Sequence, residues 1–199
     1  MRGIWLVGIT TAVVMAASAG ADRIREIEAD IAADPGNVDL YVELGMAYEY
    51  VKDWENAARA YKSALALSPG DPNIHYRLAE TYLSDDKLPQ AVEEYKAVVR
   101  LDAEAKTPFY HMGRAYLGMR EYDNARAAFE EFNRRVAFDF NGMWYLGQAY
   151  EGLADYRRAL EVYRKMYDLI TGPYAGVTGV FGNADDLSKH IKKIEKKVR

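Results

Sequence analysis

Residues 112–129 read MGRAYLGMREYDNARAAF and place two very small residues, Gly113 and Ala125, at helical spacing from two rings, Tyr116 and Phe129. The same pattern recurs as LGMAYEYVKDWENAARAY at residues 44–61, LAETYLSDDKLPQAVEEY at residues 78–95 and LGQAYEGLADYRRALEVY at residues 146–163. Successive copies start 34 residues apart, with no insertion or deletion between Val38 and Pro173. A fixed period of this length predicts a repeat architecture.

Each 34-residue unit reads as two helices. In the first unit Leu40, Leu44 and Tyr48 follow helical spacing, a polar Lys52-Asp53 turn comes next, and the apolar pattern then resumes. A helix pair this short cannot bury its own apolar face, so each pair is expected to stack on the next. We interpret the small residues as points of close helix approach and the rings as the groups that fill the space around them.

This pattern resembles the tetratricopeptide repeat family. The first unit matches that family's signature at Tyr41, Leu44, Gly45, Tyr48, Ala57, Tyr61, Ala64 and Pro69, and the later units match most of the same positions. The resemblance implies an all-α solenoid, a right-handed superhelix of antiparallel helix pairs. The four repeats would span residues 38–71, 72–105, 106–139 and 140–173.

The flanking segments are interpreted as caps. Residues 20–37 carry Ile24, Ile27 and Ile31 on one face and end in Asp-Pro-Gly-Asn, which predicts an N-terminal half-repeat formed by a lone second helix. Residues 174–199 are predicted to form a glycine-rich loop, with its apolar side chains exposed or docked on a neighbour, and a basic C-terminal capping helix. The lysines of that helix could meet an anionic membrane surface, or simply suit the C-terminal end of a helix.

The first nineteen residues, MRGIWLVGITTAVVMAASA, combine one cation, an apolar run and an Ala-Ser-Ala ending. This arrangement is typical of a secretory signal peptide, which predicts an exported, periplasmic or secreted protein. The alternative is an uncleaved inner-membrane anchor formed by residues 3–21, which carry no charge.

Composition excludes several classes of function. A net charge of −4 disfavours nucleic acid as a partner, and the absence of cysteine removes thiolate nucleophiles and cysteine zinc sites. The three histidines show no metal-ligand spacing, and neighbouring carboxylates do not face one another on a helix. We therefore expect no catalytic residues, no metal and no cofactor, and an unrecognised enzyme is the least favoured reading.

The family resemblance assigns the first helix of each unit to the inner, concave face. Carrying the family's groove positions over gives a candidate peptide-binding or protein-binding groove formed by Val42, Met46, Glu49, Tyr76, Arg77, Glu80, Tyr110, His111, Arg114, Trp144, Tyr145 and Gln148. Tyr76, Tyr110 and Trp144 occupy one position in successive units, and rings beside arginine favour protein interfaces. The alternative is that these rings pack only against the second helix of the neighbouring unit.

The predicted function is a protein-interaction scaffold of the cell envelope. Val42 and Met46 stand where a carboxylate clamp for chaperone C-termini would have lysine and asparagine, so the resemblance does not extend to that subtype. The second reading is a membrane-tethered architectural subunit, or a homo-oligomeric scaffold, that acts through its convex face.

Overall fold

The computed structural model describes residues 20–136, 138–176 and 178–198. Within them the chain is helical over residues 20–33 (α1), and the helices that follow are α2 Val38–Tyr50, α3 Trp54–Leu67, α4 Pro72–Ser84, α5 Leu88–Leu101, α6 Thr107–Gly118, α7 Tyr122–Arg135, α8 Phe140–Gly152, α9 Tyr156–Thr171 and α10 Ala184–Val198. The strand-like pairing in this part of the chain is a single bridge between Gly179 and Gly182. The all-α prediction is confirmed.

Local sequence fixes where the helices begin and turn. Side chains at the helix starts accept hydrogen bonds from backbone N–H groups two or three residues further on, at Asn37, Asp53, Asp71, Asp139 and Asp155. Such caps contribute about 1 kcal/mol each. The turn within each pair is also the same, because Lys52, Asp86, Arg120 and Ala154 all adopt left-handed φ values between 55° and 61°.

The chain forms two compact units, divided between Asp102 and Ala103. In the N-terminal unit, α2 packs on α3, α3 on α4 and α4 on α5. In the C-terminal unit, α6 packs on α7, α7 on α8, α8 on α9 and α9 on α10. Neighbours in sequence are therefore neighbours in space within each unit, as stacked helix pairs require.

Glycines of the first helices receive rings of the second helices. A Cβ atom added at Gly45 would lie 2.6 Å from the Tyr61 ring, and one added at Gly113 would lie 2.6 Å from Phe129. At Gly147 the distance to the Tyr163 ring would be 2.3 Å. All three rings are fully buried. The interpretation of the small residues as points of close approach is confirmed.

Helix α1 follows the register of a second helix. Ile27, 34 residues before Tyr61, is only 1% exposed and so occupies the buried ring position. The Tyr48 hydroxyl donates to Glu28 at 3.0 Å, and the Tyr150 hydroxyl donates to Glu130 at 2.6 Å. Both pairs are 20 residues apart in the chain and lie 102 residues, or three periods, from one another. Helix α1 therefore contacts α2 as a second helix contacts the first helix of the next repeat.

Helix α10 packs on the last helix pair of the C-terminal unit. Leu187, Ile191 and Ile194 are its buried residues, and α10 packs on α9. Phe181 of the preceding loop is buried rather than exposed, so of the two expectations for this loop, docking holds at that residue. The loop is tied to α8 by the Val180 N–H, which donates to Asn141 Oδ1 at 3.1 Å.

The predictions for the N-terminal end fall outside the described residues. Residues 1–19, read as a signal peptide or as most of an anchor, belong to that part of the chain. Among the helices that the structure describes, none combines the length and the apolarity that a membrane span needs.

Candidate functional site

The twelve candidate groove residues all lie on first helices, and we call them the first-helix surface. Six lie on α2 and α4 of the N-terminal unit, and six on α6 and α8 of the C-terminal unit. Met46 and Arg114 are exposed, and the other ten are partly buried.

In the N-terminal unit, carboxylates of this surface bind hydroxyl groups. Glu49 accepts a hydrogen bond from the Thr81 hydroxyl at 2.7 Å, and Glu80 accepts one from the Tyr95 hydroxyl. Burial, followed by the charge of Glu49, raises the pKa of the Tyr61 phenol well above its usual value. These glutamates therefore connect helices through hydrogen bonds to hydroxyl groups.

Tyr76 packs edge-on against Tyr95 of the second helix in its own repeat, with ring centroids 5.8 Å apart. Burial, followed by the charge of Glu80, raises the pKa of Tyr76. The adjacent Arg77 is partly buried on the same helix. Tyr76 thus has a packing role as well as a partly exposed face.

Met46 lines an open pocket of about 730 Å³ between α1 and α2. Tyr50 and Ile27 are among the other lining residues, and the ion pair of Arg23 with Glu43, 2.8 Å long, joins the two helices. Val42 is partly buried nearby on α2. The residues that the structure describes around this pocket come from α1 and α2.

In the C-terminal unit, the structure brings four of the candidates together. The Tyr110 ring lies 5.8 Å from Tyr145 and 5.4 Å from His111. The Arg114 guanidinium lies 5.8 Å from the Tyr110 ring centroid, within the range of a cation–π contact. We call Tyr110, His111, Arg114 and Tyr145 the Tyr110 cluster.

Aromatic residues of α7 pack against the Tyr110 cluster. Tyr110 contacts Phe132 at 5.2 Å and Phe129 at 6.2 Å, and Tyr145 stacks on Phe129 at 5.5 Å. Burial raises the pKa of Tyr110. The Tyr110 and Tyr145 rings are therefore held in one orientation by packing within the chain itself.

Trp144 is not part of the Tyr110 cluster. It contacts residues of α9, of α10 and of the loop before α10, and these contacts were not predicted from the sequence. Its ring is 5.2 Å from Tyr163, 4.9 Å from His190 of α10 and 6.4 Å from Phe181. Glu151 accepts a hydrogen bond from Tyr163 at 2.7 Å and contacts His190 Nε2 at the same distance. His190 was detectable in the sequence, because it falls three residues after Leu187 in the apolar stripe of α10. Gln148 is partly buried on α8.

The described residues contain no cluster of potential metal ligands. No group of three or more histidine or acidic side chains in this part of the chain could hold a metal ion. His75 contacts Glu94 at 2.7 Å and the Pro69 carbonyl at 3.2 Å. That placement, partly buried between α4 and α5, matches a packing histidine.

The tetratricopeptide repeat family matches this chain at residues 51–106 and again at residues 110–175, which together exceed half of its length. No curated protein matches the sequence significantly.

Solved structures share the fold. A crystal structure of the MamA protein is 21% identical, with a TM-score of 0.72, and the match covers 82% of this chain and 90% of that one. MamA from Desulfovibrio magneticus RS-1, residue 41 to the end, is 18% identical with a TM-score of 0.63, covering 81% and 95%. At such identities the likeness concerns the fold alone. The repeat register, the glycine–ring contacts and the two family matches agree, and the chain belongs to the tetratricopeptide repeat family.

Proposed function

We propose that this chain is a non-enzymatic scaffold of the cell envelope that binds a segment of a partner protein on its first-helix surface. Tetratricopeptide repeats support a protein-interaction role in general. The cell-envelope setting is supported by the signal-like character of residues 1–19.

The Tyr110 cluster carries the proposal. Tyrosine and arginine are enriched among the residues that dominate protein interfaces. Tyr110 and Tyr145 are partly exposed while their rings are fixed by Phe129 and Phe132, so little side-chain entropy would be lost when a partner binds. Arg114 has no ion pair with any residue that the structure describes, which suits a partner segment carrying a carboxylate.

Changing Tyr110 or Arg114 to alanine is expected to weaken partner capture by about 1–3 kcal/mol each, or roughly 5-fold to 150-fold. The partner would first be crosslinked to the chain in its own cells and identified, and its affinity for each variant would then be measured by calorimetry. Arg59→Ala is the matched control, because Arg59 is an exposed arginine on a second helix. Equal affinity for wild type and Tyr110→Ala would contradict the proposed surface.

A membrane-tethered subunit is the second candidate, and the lysine-rich outer side of α10 favours it. Lys192, Lys193 and Lys196 are exposed there, whereas Lys197 lies over the Tyr156 ring at 4.7 Å. Lysines at an anionic lipid surface contribute about 1 kcal/mol each.

The intact mass of the chain recovered from its own cells separates these candidates. We expect a mass that lacks residues 1–19, because their Ala-Ser-Ala ending suits signal peptidase. A mass that still includes Met1 would support the tethered subunit, and recovery from the membrane fraction after a high-salt wash would identify the anchor as apolar.

A further inference from the structure

The junction between the third and fourth repeats departs from the register of the other repeats. Asn133 stands where the other repeats have Leu65, Val99 and Tyr167, and Gly142 stands where they have Leu40, Ile74 and Pro108. Phe132 replaces Ala64, Val98 and Met166. A polar residue, a missing side chain and an added ring thus occur together at one place.

The three replacements at this junction are linked by packing, because the absence of a side chain at one position leaves space for the other two. A Cβ atom at Gly142 would lie 2.6 Å from Asn133 Oδ1 and 2.7 Å from the Phe132 ring. Gly142 therefore makes room for both side chains. Beside them is a pocket of about 230 Å³, which we call the junction pocket. Its walls include Val136, Phe138, Met143 and Val162, and its polar residues are Asn133 and Lys165.

The Asn133 amide has unmet hydrogen-bonding capacity. Both its nitrogen and its oxygen are shielded from solvent, and neither has a hydrogen-bond partner among the described residues. An unpaired buried polar group costs about 1–3 kcal/mol. The apolar residues at the same position of the other repeats avoid this cost, so the fold alone gives no reason for an amide here.

Phe138, on the rim of the junction pocket, adds backbone strain. Its φ of 58° is left-handed, which is unusual for a bulky side chain and costs about 1–3 kcal/mol. The other non-glycine residues with positive φ in the described chain all lie at the turn within a helix pair. The Phe138 ring is half exposed and contacts Tyr174 at 5.6 Å. Such local costs concentrate at binding sites.

The size and charge of the junction pocket define its ligand. A cavity of about 150 Å³ accepts benzene, and pockets for drug-sized molecules begin at about 300 Å³, so 230 Å³ suits one apolar side chain. Lys165 is exposed, and the structure pairs it with no carboxylate of the described residues. The Asn133 amide can donate one hydrogen bond and accept another, which matches the N–H and C=O of a peptide backbone.

We propose that the junction pocket binds an internal segment of a partner polypeptide that carries an aliphatic residue followed by an acidic one. The aliphatic side chain fills the space between Val136 and Val162, and the acidic side chain pairs with Lys165. The backbone of the segment exchanges hydrogen bonds with the Asn133 amide, which is shielded from solvent in the unbound chain and reaches the segment by rotation of the side chain. This site shares no residue with the first-helix surface.

The test uses a hexapeptide, Gly-Ser-Leu-Glu-Gly-Ser, acetylated and amidated so that it carries no terminal charge. Titration into the ¹⁵N-labelled chain is expected to shift the backbone signals of Val136, Phe138 and Lys165. Replacing the peptide's glutamate by glutamine should weaken binding about 3-fold to 10-fold, and replacing its leucine by alanine should weaken it at least 10-fold, because about 0.8 kcal/mol is lost per CH₂ removed. Signal shifts confined to other parts of the chain would overturn the proposal.

Two variants of the chain complete the test. The Lys165→Gln variant should bind the glutamate peptide only as tightly as the wild type binds the glutamine peptide. Its affinity for the glutamine peptide should equal that of the wild type. The Lys192→Gln variant on α10 should bind both peptides with wild-type affinity. Asn133→Val, which installs the residue found at Val99, should weaken binding of both peptides while raising the melting temperature, because it removes an unpaired amide. Wild-type affinity in Lys165→Gln, or in a folded Asn133→Val, would refute the assignment.

Discussion

Replacing Gly147 by alanine is expected to destabilise the C-terminal unit by about 2–4 kcal/mol. Alanine is the better helix former by about 1 kcal/mol, so propensity alone predicts the opposite sign. Packing decides the result, because the new methyl group would lie 2.3 Å from the Tyr163 ring. That ring is fully buried and its hydroxyl is bonded to Glu151, so it cannot move aside without breaking other contacts. Urea unfolding followed by circular dichroism would give the free energy of unfolding.

The chain supplies its own control for this substitution. Gly70 lies in the turn between the first and second repeats, and a Cβ atom added there would meet no atom within 4 Å. Gly70→Ala is therefore expected to change stability by less than about 0.5 kcal/mol. Adding Tyr163→Leu to Gly147→Ala should recover part of the loss, since the smaller side chain gives the methyl group space. A Gly147→Ala protein as stable as the wild type would show that the two helices do not approach as closely as described.

Raising the pH above 10 is expected to remove several kcal/mol of stability. Burial raises the pKa of the Tyr163 phenol far above its usual value, and the charge and hydrogen bond of Glu151 raise it further. Burial and the hydrogen bond to Glu130 raise the pKa of Tyr150 to about 12. An unfolded tyrosine ionises near pH 10. Because the folded pKa is the higher one, the stability from the protonated phenols is fully present below pH 10. It is then lost as the pH rises, at about 1.4 kcal/mol per pH unit for each such tyrosine.

Urea unfolding of the wild type and Tyr163→Phe between pH 8 and pH 12 would measure this dependence. Tyr163→Phe should be less stable by about 1 kcal/mol at pH 8, because Glu151 loses a donor. Above pH 10 the free energy of unfolding of Tyr163→Phe should fall less steeply than that of the wild type. The difference in slope should be that of one ionising tyrosine, about 1.4 kcal/mol per pH unit. Tyr50→Phe is the control, because the Tyr50 side chain is 70% exposed. Identical slopes for the wild type and Tyr163→Phe would mean that Tyr163 ionises as readily in the fold as in the unfolded chain.

The fold was predictable because its decisive contacts are local and periodic. Gly113 and Phe129 are 16 residues apart, and the same pair recurs in three other units with alanine or glycine against a ring. The register of α1 was predictable for the same reason, since Ile27 precedes Tyr61 by one period. A repeated short-range pattern specifies both the helices and how they pack.

The candidate site was less predictable, because exposure depends on what covers a residue. Position in the repeat correctly placed Tyr110 and Trp144 on first helices, and the structure leaves both partly buried in different surroundings. Trp144 is covered by Phe181 of an aperiodic loop and by His190 of the helix that follows it, and the repeat pattern applies to neither. The junction pocket was visible in the sequence only as the replacement of apolar residues by Asn133 and Gly142.

The docking of α10 has a consequence for any partner that approaches Trp144. Glu151 and Tyr163 are 12 residues apart, whereas Glu151 and His190 are 39 apart, so the helix pair closes a short loop and α10 closes a long one. The last helix would therefore dock late in folding. A ligand that needs the indole ring must compete with the chain's own imidazole. Its apparent affinity would then be reduced by the fraction of molecules in which α10 has moved away.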